Sequence, residues 1–299
     1  FAGNMLAAIL RAFGNSRAPL YAMASASIAN IFLDILFVMV LGMGIRGAAY
    51  GTLLSQLCAA VCCGLALKKT GMAKVERENR KPDGRMMLAQ IRLGVPMGFQ
   101  NIITAVGGLA VQSVVNGFGI LFLAGYTAAN KLYGLLETAA SSYGYAISTY
   151  TAQNVGAGRK DRIRSGILSA LAIGTVTACL MSSVMAVLGR PILTLFIAGG
   201  QVNTGAAIQT GYHFLCILAV FFPLLYAVYI LRSCIQGMGN STMPMLSSLI
   251  QVVMRIVCAS AVTGLIGNTG VFWGEVMAWL GADLFLASAL LYRYKRLEI

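Results

Sequence analysis

Ile208-Gln-Thr-Gly-Tyr-His-Phe-Leu-Cys-Ile-Leu-Ala-Val-Phe-Phe-Pro-Leu-Leu-Tyr-Ala-Val-Tyr-Ile-Leu231 contains no Asp, Glu, Lys or Arg. Wound as an α-helix, a run of this length reaches roughly 36 Å, more than the ~30 Å hydrocarbon core of a bilayer. Seven further long apolar runs, each with at most two charged residues, lie on either side of it, at 19–40, 47–67, 88–115, 127–150, 163–188, 244–265 and 271–292. In lipid a backbone must satisfy its own hydrogen bonds, so such segments are helices. None shows the alternation of apolar and polar residues that a membrane barrel strand requires. The composition agrees: 58% of the residues are apolar, 10% are charged, and the mean hydropathy is +0.79. A soluble domain carries about 25% charged residues, so this chain has too few charges to cover a water-facing surface. The expected fold is an all-α membrane protein with eight complete transmembrane helices. Phe1–Leu10, apolar but too short to span, reads as the stub of a further helix.

The net charge of +13 does not point to nucleic acid, because the basic residues sit in short clusters between spans. One side of the membrane receives Arg11 and Arg17, Lys68 through Arg85, Arg159 to Arg164, Arg232, and Arg293 to Arg296; the other receives Arg46 and Arg190. The basic side is cytoplasmic by the positive-inside rule, which places the C-terminus there. Lys68–Arg85, of mixed charge with Pro82 and Gly84, has the composition of a solvated linker. The expected division is therefore 1–67 as the end of one lobe, 68–87 as a cytoplasmic linker, and 88–299 as a six-helix lobe. The seven cysteines all fall in or beside apolar runs, with a single histidine in the chain. They read as small core residues, with neither a zinc set nor a disulfide framework.

A repeat joins the two ends of the chain. Gly14-Asn-Ser-Arg-Ala-Pro19 is answered by Gly239-Asn-Ser-Thr-Met-Pro244, and Gly47-Ala-Ala-Tyr-Gly51 by Gly270-Val-Phe-Trp-Gly274. The two matches are nearly in register, so 10–67 and 235–292 read as copies of one helix–loop–helix unit. The copies have the same orientation and are parallel repeats about an axis along the membrane normal. Four spans separate the linker from the second copy, whereas only the stub precedes the first. Symmetry then predicts a whole protein of twelve spans, with roughly three and a half absent from this chain.

Two six-helix lobes, the Gly-Asn-Ser-x-x-Pro loops and Gln153-Asn-Val-Gly-Ala-Gly-Arg159 together resemble the MATE (multidrug and toxic-compound extrusion) transporters. The resemblance covers essentially the whole chain. It implies a secondary active antiporter that exports drug-like, cationic organic compounds in exchange for Na⁺ or H⁺. It also implies a cation site formed by Asn30, Asp34 and Thr52 with an aspartate from a first helix that this chain lacks. Asn30 and Asp34, four residues apart, share a helix face. Asp34 could bind Na⁺ through oxygens or take a proton, because a charged carboxylate away from water is costly. It could equally be a structural acid in an interhelical network.

Ionisable residues inside spans are functional candidates by default. Besides Asp34 they are Lys131, Glu137, His213, Arg255, Glu275 and Asp283. The repeat maps Asn30, Asp34 and Thr52 onto Arg255, Ala259 and Glu275, which predicts an Arg255–Glu275 pair, either a structural clamp or part of gating or substrate binding. Lys131 and Glu137 lie on different faces of one helix, so each needs a partner elsewhere, and Asp283 is the expected partner of Lys131. Pro96 should kink its helix, on which Gln100 and Asn101 could line a cavity. Tyr133, Tyr143 and Tyr145 could offer aromatic surface to a cation, and His213 reads as a polar residue near a helix end.

Other functional classes lack their signatures. There is no nucleotide-binding loop of the Gly-x-x-x-x-Gly-Lys type, no His-Glu-x-x-His and no Gly-x-Ser-x-Gly, so neither a primary pump nor an enzyme is expected. A flippase for lipid-linked precursors, from the same superfamily, is the alternative. It would need a cationic cavity, whereas the span charges are four acids and two bases with His213 set aside. No cofactor is expected beyond the coupling ion, and no metal beyond Na⁺ at Asp34. The expected partners are the lipid bilayer of the cell membrane and a small organic substrate, with no nucleic acid, and the expected state is a monomer.

Overall fold

A computed structural model describes residues 2–71, 83–197 and 204–295. Most of the expected linker, residues 72–82, lies outside this set. The described chain is helical and contains no strand. It forms two compact units, Phe1–Asp83 and Gly84–Ile299.

The first unit holds α1 (Ala2–Ala12), α2 (Arg17–Asp34) and α3 (Gly44–Lys69). α2 runs on as a π-helical segment, Ile35–Val40. Both α1 and α2 pack on α3, around Ala7, Leu10, Ala22 and Cys63. The second unit holds α4 (Gly84–Asn116), α5 (Ile120–Gly156), α6 (Lys160–Ile197), α7 (Thr204–Gly237), α8 (Thr242–Val257), α9 (Thr263–Ile266) and α10 (Gly270–Lys295). A π-helical segment, Cys258–Val262, joins α8 to α9. α7 is the hub of this unit and packs on α5, α6 and α10, whereas α8 packs on α4 and α10. The core is built on Phe214, Leu218, Phe222 and Tyr226 of α7 with Phe272 and Trp279 of α10. Outside it, large apolar side chains such as Val187, Leu195 and Val220 are exposed, as lipid-facing residues must be.

Six stretches are long and apolar enough to cross a membrane: Arg17–Val40, Gly44–Lys69, Gly84–Asn116, Lys160–Ile197, Thr204–Gly237 and Thr242–Lys295. The last runs from α8 through α9 and, after a turn at Gly267–Thr269, into α10. α5 is long enough but more polar. Its contact with α7 is a seam of small residues that lets the backbones approach closely. A Cβ on Gly125 would collide with the carbonyl of Ala207, and one on Gly237 would lie 2.6 Å from the carbonyl oxygen of Ser148.

The two copies of the repeat share local geometry as well as sequence. Each Gly-Asn-Ser loop is a Schellman turn. Gly14 and Gly239 have φ of 82° and 76°, and Asn15 and Asn240 donate backbone N–H groups to Leu10 and Ile235 at 2.9 and 3.2 Å. The same asparagines then cap the next helix. Asn15 Oδ1 accepts from the backbone N–H of Ala18, and Asn240 Oδ1 from those of Thr242 and Met243. Both copies pass into a π-helical segment at the corresponding place and then reach a positive-φ glycine, Gly42 or Gly267.

Two expectations need correcting. The Gly47–Gly51 and Gly270–Gly274 motifs of the repeat, expected as turns on the side away from the cytoplasm, are helical. They lie in the first turns of α3 and α10, where Gly47 faces the Phe37 backbone and Gly270 that of Thr263. α4 continues through Pro96, and the two π-helical segments contain no proline. Only Cys63, Cys234 and Cys258 are buried, whereas Cys58 and Cys179 are exposed.

Candidate functional site

In the first unit, Asn30 and Thr52 line one cleft between α1, α2 and α3, about 130 Å³ in volume. Thr52 Oγ1 donates to the carbonyl of Ala48 in its own helix. Asp34 lies one turn beyond Asn30, where α2 gives way to the π-helical segment. It is not part of the cleft lining. Its carboxylate is pressed against Gly51, where a Cβ would overlap Oδ1. Asp34 Oδ1 and Asn30 Nδ2 are both buried and form no hydrogen bond among the described residues. A buried carboxylate oxygen in that state is an exception, because such groups are otherwise satisfied. The sequence reading missed the other polar residues of the cleft: Asn4, Ser27, Ser55 and Gln56. Gln56 and Ser27 could have been found from helix periodicity, four residues after Thr52 and three before Asn30. Asn4, on a separate helix, carried no such signal.

In the second unit, α5, α7, α8 and α10 bring a cluster of charges together. The expected pair forms: Arg255 Nη2 donates to Glu275 Oε2 at 2.6 Å, with side chains 11% and 12% exposed. Gly274 faces the Arg255 backbone and the Cys258 Cβ at ordinary contact distance, whereas Gly51 faces the Asp34 carboxylate. Glu137 finds its partner on α7, where the Tyr229 hydroxyl donates to Oε1 at 2.7 Å. Tyr133 is buried against Trp279, with ring centroids 6.0 Å apart.

Lys131 and Asp283 are not brought together. Lys131 is exposed and lines a shallow pocket with Ile120, Thr127 and Phe196. The charge that acts on Asp283 is Arg232. Arg232 itself is the largest correction. The apolar run ends just before it, which reads as the start of a cytoplasmic loop, but α7 continues to Gly237 and Arg232 is only 8% exposed. Its guanidinium lies over the Tyr229 ring, 5.9 Å from the centroid. It is attracted by Glu137 and Asp283 and repelled by Arg255. Among the described residues it forms no salt bridge within 4.0 Å, and its Nε and Nη2 are buried without acceptors.

Gln100 and Asn101 do line a cavity. It is a cleft of about 360 Å³ between α4, α5 and α7, across which Gln236 Nε2 donates to Gln100 Oε1 at 3.2 Å. Tyr145 belongs to its lining, whereas Tyr143 bonds Thr177 instead. His213 packs edge-on against Phe272 and lines a separate pocket.

Long apolar helices of this number define a multi-pass helical membrane protein. A profile of the MatE family matches residues 96–260, more than half of the chain, and the chain belongs to that family. It is 29% identical over 297 residues to the probable multidrug resistance protein YpnP of Bacillus subtilis, covering 99% of this chain and 65% of that protein. Among solved structures it matches a MOP superfamily transporter from Pyrococcus furiosus with a TM-score of 0.92, at 21% identity, over 99% of this chain and 67% of the other. It also matches an outward-facing multidrug resistance MATE family transporter with a TM-score of 0.90, at 22% identity, over 99% and 66%. At these identities the structural likeness speaks for the fold. The chain spans 65% of the YpnP length.

Proposed function

We propose that the intact protein is a secondary active antiporter of the cell membrane, exporting drug-like, cationic organic compounds in exchange for Na⁺ or H⁺. The observation that carries this reading is Asp34, a half-buried residue whose Oδ1 is buried without a partner, near an unpartnered Asn30 amide nitrogen. Such a carboxylate gains from either a proton or a small cation. A carrier needs only that this gain differ between its two facings. Family membership and a relative named as a probable multidrug resistance protein support the same reading. Cytoplasmic placement of the C-terminus, a monomeric state and the absence of a cofactor belong to the proposal.

The lipid-precursor flippase is less well supported. In the second unit Glu137, Glu275 and Asp283 stand against Arg232 and Arg255, which leaves no excess of positive charge for a pyrophosphate.

The test is efflux of a fluorescent cationic dye from everted vesicles containing the intact protein, under an imposed Na⁺ or H⁺ gradient. Wild type is expected to move dye under one gradient, which names the ion, and Asp34→Asn is expected to abolish that movement. Ion-driven export by Asp34→Asn at the wild-type rate would overturn the role of Asp34. Folded wild-type protein that moves dye under neither gradient would overturn drug efflux.

A further inference from the structure

Cys58 and Cys62 lie four residues apart on α3, so they share one face of the helix with Cβ atoms about 5–6 Å apart. The two thiols are in hydrogen-bonding contact. Cys58 is exposed and Cys62 half-buried, and Leu54, Leu57 and Val61 around them are exposed as well. The pair is therefore open to the hydrocarbon beside α3. Cys63, one residue on, is buried and belongs to another face of the helix. The fold does not ask for sulfur at this place. In the repeat, counted from Gly51 and Gly274, the corresponding residues of α10 are Gly281 and Phe285.

The spacing limits what can join the two thiols. A disulfide brings its Cβ atoms to about 3.5–4.5 Å, closer than an undistorted helix holds this pair. A bridge of one further atom fits. That atom must take two sulfurs and leave no net charge, because an ion beside hydrocarbon is costly. Among the described residues no three His, Cys, Asp or Glu side chains converge as a metal site, so a cation that needs three or four ligands is not held. A trivalent arsenic that already carries one organic group needs only two sulfurs.

We propose that Cys58 and Cys62 form a dithiol site for monosubstituted trivalent organoarsenicals, reached from the lipid. In the step, R–As(OH)₂ gives up both hydroxyls. Two As–O and two S–H bonds break, two As–S bonds form, and two waters leave. Arsenic stays trivalent and sulfur stays reduced, so no oxidant is required. Every species is neutral, and the organic group has Leu54, Leu57 and Val61 as its neighbours. The site is independent of the transport reading.

The test uses phenylarsine oxide, which hydrates to the phenyl member of this class, with the purified intact protein in detergent. Excess reagent is followed by a wash with 2-mercaptoethanol, which removes arsenic held by a single thiol such as Cys179. Wild type is expected to retain one adduct by intact-protein mass, and 2,3-dimercaptopropanol is expected to remove it. Cys58→Ser and Cys62→Ser should each retain about tenfold less or lower, because one thiol alone forfeits the intramolecular second bond. Cys63→Ser should retain the adduct in full. A wild type without a wash-resistant adduct, or equal retention by Cys58→Ser, would overturn the site. If the serine variants do not fold, mapping the adduct in wild type by mass spectrometry decides: arsenic bridging Cys58 and Cys62 supports the site, and arsenic held anywhere else overturns it.

Discussion

The α2–α3 hairpin and the α8–α10 hairpin are one scaffold carrying two chemistries. Each begins at a Schellman turn on Gly14 or Gly239, takes its first cap from Asn15 or Asn240, and passes through a π-helical segment. Each then seats a glycine, Gly51 or Gly274, against the helix that came before. The polar groups that the two hairpins carry differ. The first hairpin presents Asp34, whose Oδ1 has no partner. The second presents Arg255, tied to Glu275. The frame is shared while the polar groups differ: in repeat register Arg255 stands where Asn30 does and Ala259 where Asp34 does, so one copy carries a carboxylate oxygen without a partner and the other a closed ion pair.

The comparison can be broken most forcefully at the closed pair. Glu275→Gln strands the Arg255 guanidinium in a buried setting, and the expected loss of stability is about 3–5 kcal/mol, read as a lower melting temperature in detergent. The double variant Arg255→Met with Glu275→Leu should recover most of it. If the single variant melts like wild type, the pair is not a clamp.

A second probe contrasts the two seats. A Cβ on Gly51 would overlap the Asp34 carboxylate, whereas one on Gly274 meets its nearest atom at 3.6 Å. Gly51→Ala should therefore cost about 1–3 kcal/mol as overpacking and impair ion-driven export. Gly274→Ala should be close to neutral by both measures. Equal melting shifts for the two would contradict the difference in fit.

The smallest effect is expected at the caps. Asn15 accepts one backbone N–H and Asn240 accepts two. Replacement by Ala should cost about 1 kcal/mol in each case, with Asn240→Ala the more damaging, and hydrogen exchange at the first turns of α2 and α8 would report it locally.

The fold was legible because lipid leaves few options. Uninterrupted apolar runs become helices, and each of the eight marked runs lies within a helical stretch of the structure. The repeat was legible from two short motifs, and with it the Arg255–Glu275 pair, since a buried arginine needs an acid and the alignment placed one opposite. Arg232 escaped because the apolar run ends at Leu231 while the helix does not. Hydropathy marks where a chain becomes polar, and a buried charge looks the same as a loop charge in that measure. The mistaken pairing of Lys131 with Asp283 has the same root: depth along a helix can be estimated from sequence, but the facing side in a bundle cannot. The π-helical segments left no trace, because no residue type marks the extra residue in the turn.

The polarity of α5 reaches beyond the finished structure. Alone among the long helices between Gly84 and Gly237 it is not apolar enough to cross a membrane by composition. The small residues that seat it face α7, which a ribosome makes only after α6. During synthesis α5 would therefore partition poorly into lipid by itself, and its stable insertion would await a partner that has yet to be translated. The seam between α5 and α7 is thus a constraint on the timing of biogenesis, and substitutions along it should act on how much protein reaches the membrane before they act on what that protein carries.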